Sequence, residues 1–135
     1  MEALSPNLLA VLAAGLAKFM LGGLWYSPLM FDKSWRQMIG MTQPPSMSQG
    51  ARAMAFELAG NMLMAYVLAH LVILVGAHSW EDGMKTGFWC WVGFIGTVSA
   101  TSVVFEKKPW GLWVLNNGHQ LLSALLMGAI LGGWR

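Results

Sequence analysis

Residues 5–26 read SPNLLAVLAAGLAKFMLGGLWY, and this stretch decides the fold class. About 20 consecutive apolar residues are enough for a helix that crosses the hydrocarbon core of a bilayer. Lys18 is the one charged residue in the run. A lysine near the middle of such a helix is costly in hydrocarbon, and intramembrane charges of this kind usually mark a functional site with a partner. The sequence therefore predicts a membrane protein with a buried polar site.

The composition supports this class and excludes others. The chain of 135 residues is 56% hydrophobic and 10% charged, whereas soluble domains contain about 25% charged residues. A net charge of +2, without a basic cluster interleaved with aromatic residues, argues against nucleic-acid binding. The single cysteine, Cys90, allows no intrachain disulfide. No motif for a catalytic nucleophile, a cofactor or a metal is present, so we expect a protein that is not an enzyme.

Apolar segments recur along the whole chain. The predicted spans are about residues 5–26, 51–76, 84–105 and 110–134, each long enough for one helical crossing. We therefore predict an all-α fold, a bundle of four transmembrane helices that forms a single domain over residues 1–135. Residues 29–39 place apolar side chains at helical spacing with charges opposite, which predicts a short helix in the membrane interface. Pro44–Pro45 follows it and stops any helix.

The distribution of basic residues predicts the orientation of these spans. Four crossings leave both termini on one side of the membrane. The opposite side carries Lys33, Arg36, Arg52, Lys107 and Lys108, and the terminal side carries Lys85 and Arg135. Because short basic loops face the cytoplasm, we expect a multi-pass protein of the cell (inner) membrane with both termini outside.

Depth along the helices brings Lys18 and Glu57 to one level. With a rise of about 1.5 Å per residue, Lys18 lies about 15 Å from the end of the first span and Glu57 about 13 Å from the same side. Since consecutive spans run antiparallel, we predict that the two side chains touch. Asn61 lies one turn from Glu57 on the same face, and Thr97 and Thr101 of the third span approach the same level.

The fourth span adds further polar residues at about 10–15 Å from this side. Together they predict one polar layer in which four helices meet. The candidate ligand or ion site consists of Lys18, Glu57, Asn61, Asn116, His119 and Gln120. Histidine can exchange a proton near physiological pH, so His119 is a candidate proton-handling group, although a hydrogen-bonded core histidine fits as well.

Two functions remain open at this point. In the first, the polar layer binds or translocates a small ion or polar solute, and a homo-oligomer is expected because four helices leave little room for a path. In the second, the chain is a structural or accessory membrane subunit, and its asparagine, glutamine and threonine residues are interhelical glue. In both, the lipid bilayer is the main partner, and no cofactor or nucleic acid is expected.

Several stretches together resemble a known family. They are residues 22–35 (GGLWYSPLMFDKSW), 106–113 (EKKPWGLW), 116–120 (NNGHQ) and 127–134 (MGAILGGW). They are similar to the small bacterial membrane proteins that share domain of unknown function 1761, over nearly the whole chain. The resemblance implies a membrane protein with four spans and implies no activity.

Overall fold

The computed structural model describes residues 5–40 and 46–134. Pro44–Pro45 and Arg135, which entered the predictions above, lie outside the described residues. All regular structure in the described part of the chain is helical. The elements are α1 (Leu8–Trp25), α2 (Asp32–Ile39), α3 (Met47–Leu74), α4 (Trp80–Cys90), a π-helical segment (Trp91–Gly96), α5 (Thr97–Glu106) and α6 (Trp110–Gly133).

Four helices are long and apolar enough to cross a membrane, which confirms the predicted fold class. They are Leu8–Trp25, Met47–Leu74, Trp80–Glu106 and Trp110–Gly133, where the third combines α4, the π-helical segment and α5. Large apolar side chains such as Phe56, Phe94 and Phe105 are exposed on their outer faces. Such an outer surface fits hydrocarbon as the surrounding medium. The short helix α2 lies between the first two spans, as expected.

Serine caps start two of the spans earlier than predicted. The Ser46 hydroxyl accepts the N–H of Gln49 at 3.2 Å, and the Gln49 side chain accepts the N–H of Ser46, so the two form a capping box. The Ser79 hydroxyl accepts the N–H of Asp82 at 3.1 Å. Caps of this kind satisfy N–H groups that have no partner within the helix. The second and third spans consequently begin at residues 47 and 80, not at 51 and 84.

Helix α6 is the centre of the bundle and contacts α1, α3 and α4. Its closest approach is to α4, where Gly83 and Gly87 face Ala124, Gly128 and Gly132. A Cβ atom added at Gly83 would overlap the carbonyl oxygen of Gly128, and one at Gly87 would overlap that of Ala124. Small residues at these positions let the two backbones touch, which is how helices associate without a hydrophobic driving force between them.

The third span changes its relation to α6 along its length. Helix α4 packs tightly on α6, whereas α5 makes far fewer contacts with it. The π-helical segment Trp91–Gly96 separates these two parts. A π-helical turn holds an extra residue, so it redirects the helix that follows. The consequence is a groove between α5 and α6.

Polar contacts show how the two ends of the bundle are built. Asn7 Nδ2 donates to the carbonyl oxygen of Trp134 at 3.5 Å, so the start of α1 lies beside the end of α6. Trp25 Nε1 donates to the carbonyl oxygen of Leu115 at 3.0 Å at the other end of α1. Helices α1 and α6 therefore run antiparallel. We call the end near Asn7 and Trp134 the terminal end, and the opposite end, where α5 turns into α6, the hairpin end.

Candidate ion site at Lys18

Lys18 is buried between α1 and α3. It follows Ala10 and Ala14 at intervals of four residues, and these small residues form the face of α1 that is buried in the bundle. The side chain is only 2% exposed. Its Nζ atom donates to Asn61 Oδ1 at 2.8 Å and lies 3.5 Å from Glu57 Oε1. The predicted contact between Lys18 and Glu57 is present, but the shorter bond goes to Asn61.

The two partners on α3 differ sharply in burial. Glu57 and Asn61 are one helical turn apart and reach the same ammonium group. Asn61 is 3% exposed, whereas the Glu57 side chain is 53% exposed. Nearly all residues from 47 to 60, in the first half of α3, are exposed. Glu57 therefore lies at the edge of the bundle, where about half of its side chain is left uncovered by the described residues.

The ammonium group of Lys18 interacts with one neutral group and one charged group. The amide oxygen of Asn61 accepts from the ammonium group whatever the protonation state of Glu57. Asn61 Nδ2 is buried and finds no hydrogen-bond partner among the described residues. The Glu57 carboxylate attracts the ammonium group of Lys18 by its opposite charge, although this contact of 3.5 Å is longer than the bond to Asn61. Lys18 therefore keeps one hydrogen bond that does not depend on the charge of Glu57.

His119 is a close neighbour of the Lys18 backbone. It is 2% exposed, and its ring interacts with the main-chain carbonyl of Lys18. Nε2 lies 3.3 Å from the Ser123 hydroxyl, one turn along α6. A Cβ atom at Gly22 would lie 3.2 Å from Nε2, so a glycine at this position of α1 makes room for the ring. Through these contacts, the His119 ring packs tightly beside the site.

Asn116 and Gln120 have other surroundings. Asn116 Oδ1 accepts from the Tyr26 hydroxyl at 2.7 Å and so ties the end of α1 to α6. Gln120 lines the groove between α5 and α6 together with Ser99 and Ser102. The structure thus joins Lys18, Glu57 and Asn61, places His119 beside them, and leaves Gln120 out.

The predicted contribution of the third span to this layer is wrong. Thr97 and Thr101 are exposed, and their hydroxyls donate to the carbonyl oxygens of Gly93 and Thr97 in their own helix. The reason is the π-helical segment, whose extra residue rotates everything after it relative to a regular helix. Ser99 and Ser102 face α6 in place of the threonines.

The sequence places Asn117 in the predicted polar layer but not in the candidate site, and it places Trp113 in neither. Trp113, Asn117 and Gln120 recur at intervals of four and three residues, so they lie on one face of α6. All three line the groove beside α5. That spacing was the available signal, although it does not show which helix the face meets.

The potential ligand groups near Lys18 are few. They comprise one carboxylate, one amide and one histidine ring that is packed against its neighbours. Within residues 5–40 and 46–134, no group of three or more histidine, cysteine, aspartate or glutamate side chains could hold a metal ion.

Comparison with known proteins identifies the family of the chain. No curated protein and no solved structure matches it. One family, described as "Protein of unknown function (DUF1761)", matches residues 9–132. The matched range runs from the first turn of α1 almost to the end of α6 and includes Lys18, Glu57 and Asn61. The chain therefore belongs to the DUF1761 family.

Proposed function

We propose that this chain is a small polytopic membrane protein that binds or translocates a small ion or polar solute at Lys18, Asn61 and Glu57. One observation carries the proposal. The buried ammonium group is held at 2.8 Å by a neutral amide, while the carboxylate at 3.5 Å remains half exposed. Glu57 is the group that takes up and releases the ligand, and Lys18 supplies the fixed positive charge. No chemical step on a substrate is part of this proposal.

A purely structural ion pair has a different geometry. Two charges that are buried away from water stabilise a fold only when they are close together and fully hydrogen-bonded. Here the lysine is 2% exposed and the carboxylate 53% exposed, and the closest contact of the lysine is not the carboxylate. An accessible charge beside a buried one is the arrangement that a binding site requires, because the ligand must be able to enter and leave.

The chemistry of the pair links a proton to a second ligand. A proton on Glu57 removes the negative charge beside Lys18, which leaves the ammonium group with only the amide of Asn61. A small anion or a polar solute can then approach the same place. Loss of the proton restores the carboxylate and expels an anionic ligand by repulsion. The proton is therefore the first ion to test at this site.

We also propose that the working form is a homo-oligomer. The exposed half of α3, residues 47–60, contains Glu57 and leaves one side of the site open at the bundle surface. A second copy packed there would enclose the carboxylate. A mass measurement on the protein in lipid nanodiscs tests this, and a monomer that is fully active would contradict it.

For the orientation, we propose a multi-pass protein of the cell (inner) membrane with both termini outside. Asn7 and Trp134 lie together at the terminal end, and Lys107 and Lys108 lie at the hairpin end. The basic residues concentrate at the hairpin end, which supports a cytoplasmic location for it. A cysteine at position 107, in a Cys90→Ser background, should resist an impermeant thiol reagent in intact cells. Labelling from outside would reverse the orientation.

The second candidate is a structural or accessory membrane subunit. The bonds from Tyr26 to Asn116 and from Trp25 to the carbonyl of Leu115 favour it, because they tie α1 to α6 as interhelical glue. In that case the Lys18 site only sets the register of α1 against α3. The two candidates differ in what happens when Glu57 loses its charge.

Ion or solute movement in liposomes distinguishes them. We expect Glu57→Gln to leave assembly intact, because glutamine keeps the shape and one acceptor oxygen, and to abolish pH-dependent proton or solute uptake. Glu81→Gln, at an exposed acid in the first turn of α4, is the matched control and should behave as the wild type. If the wild type and Glu57→Gln behave identically at every pH, the proposed binding function fails and the accessory role stands.

A further inference from the structure

A groove of about 390 Å³ lies between α5 and α6, on a different face of α6 from the one that carries His119. Its polar lining residues are Ser99, Ser102, Lys108, Trp113, Asn116, Asn117 and Gln120. The groove exists because α4 is held against α6 by glycines, whereas the π-helical segment directs α5 away. π-Helical turns inside α-helices are frequent at functional sites.

Three buried polar atoms in the lining have no hydrogen-bond partner within residues 5–40 and 46–134. They are Asn117 Oδ1, Gln120 Oε1 and Trp113 Nε1. A buried polar group without a partner is destabilising, so native folds rarely keep such groups without a reason. Two acceptors and one donor, close together in one groove, indicate a place where a ligand supplies the missing bonds.

The orientation of Asn117 is settled by its other bond. Asn117 is 4% exposed, and its Nδ2 atom donates to the carbonyl oxygen of Trp113 at 3.0 Å. A carbonyl oxygen only accepts, so the amide nitrogen must point to it. The oxygen of the same amide is therefore the free atom, and it needs a donor.

The two serines and the lysine of the lining already have partners. The Ser99 hydroxyl donates to the carbonyl oxygen of Ile95 at 2.6 Å, and Ser102 donates to Glu106 at 2.8 Å. Lys108 is the only charged side chain among the described lining residues, and its ammonium group pairs with Glu106 at 2.7 Å. The groove consequently offers hydrogen bonds without a free charge, which disfavours an ion and favours a neutral ligand.

We propose that this groove binds a small uncharged solute that carries both hydrogen-bond donors and acceptors, as polyols and simple amides do. Its donors reach the amide oxygens of Asn117 and Gln120, and its acceptor takes the indole N–H of Trp113. The volume lies at the lower end of the range for small-molecule sites, so the groove has room for a small solute. The proposal is independent of the function proposed for Glu57, because the two sites share no residue.

Proton–nitrogen NMR spectra of the protein in lipid nanodiscs test the proposal, with glycerol and urea as probes. The indole signal of Trp113 is assigned by its loss in Trp113→Phe. It should shift saturably with at least one probe, while the indole signal of the exposed Trp80 stays in place. The saturable shift should disappear in Asn117→Leu and in Gln120→Leu, and should persist in Thr97→Val, which alters an exposed position of α5.

Two results would overturn the site. The first is that neither probe produces a saturable shift of the Trp113 signal. A drift that does not saturate and is equal for Trp113 and Trp80 counts as this result. The second is a saturable shift that survives in both leucine variants. If one leucine variant does not fold, the other supplies the comparison. If neither folds, the wild-type comparison of Trp113 with Trp80 decides.

Discussion

Replacement of Gly83 by alanine is expected to destabilise the protein strongly, although it adds only one methyl group. The new Cβ atom would overlap the carbonyl oxygen of Gly128, which is a backbone atom and cannot rotate away. Helices α4 and α6 must then separate along their closest contact. Overpacking of a rigid core costs about 1–3 kcal/mol, and we expect Gly83→Ala to reach at least this range. Thermal unfolding in detergent or bicelles measures it.

Gly60→Ala is the matched control for this prediction. Gly60 lies within α3 and is exposed, and a Cβ atom there meets nothing within 4 Å. Alanine is favoured over glycine inside a helix by about 1 kcal/mol, so this variant should be neutral or slightly more stable. The same chemical change is thus expected to have opposite signs at two positions. Equal stability of the two variants would contradict the close packing of α4 on α6.

Asn61→Leu is expected to have the second large effect. The substitution removes the 2.8 Å acceptor of a lysine that is 2% exposed and leaves its ammonium group with a single carboxylate at 3.5 Å. Loss of the acceptor of a buried donor costs about 1–3 kcal/mol, and more when the donor is charged. Glu57→Gln should cost less, because the carboxylate is half exposed and its contact with Lys18 is longer.

The order of these two effects distinguishes the observed site from the one expected from sequence. Depth and spacing alone make Glu57 the main partner of Lys18, so neutralising Glu57 would be strongly destabilising. The structure makes Asn61 the stronger partner. A Glu57→Gln variant that unfolds as easily as Asn61→Leu would contradict this, and would favour a structural ion pair.

Much of the fold was predictable because the signals are local. Runs of apolar residues set the spans, and a constant rise per residue is enough to place Lys18 and Glu57 at one level. Serine followed three residues later by glutamine or aspartate, at Ser46 and Ser79, marks the true helix starts. Those starts were missed because the span boundaries were drawn from hydropathy, although the capping pattern is visible in the sequence.

The groove beside α5 was not predictable for a physical reason. The π-helical segment Trp91–Gly96 has no sequence signal that hydropathy or spacing detects. It rotates the rest of the third span, so that Thr97 and Thr101 face outward and Ser99 and Ser102 face α6. The burial of Asn61 and the exposure of Glu57 likewise depend on where α3 leaves the bundle, which is a property of tertiary packing.

We propose that Glu57 exchanges a proton while Lys18 stays bound to Asn61. The chain contains four glutamates, so carbon NMR of glutamate carboxyl groups in proteoliposomes resolves few signals, and the one lost in Glu57→Gln is that of Glu57. The account predicts that this signal moves between its carboxylate and carboxylic acid positions as the pH is changed, while the protein remains folded. A Glu57 signal that keeps its carboxylate position until the protein unfolds would contradict the claim.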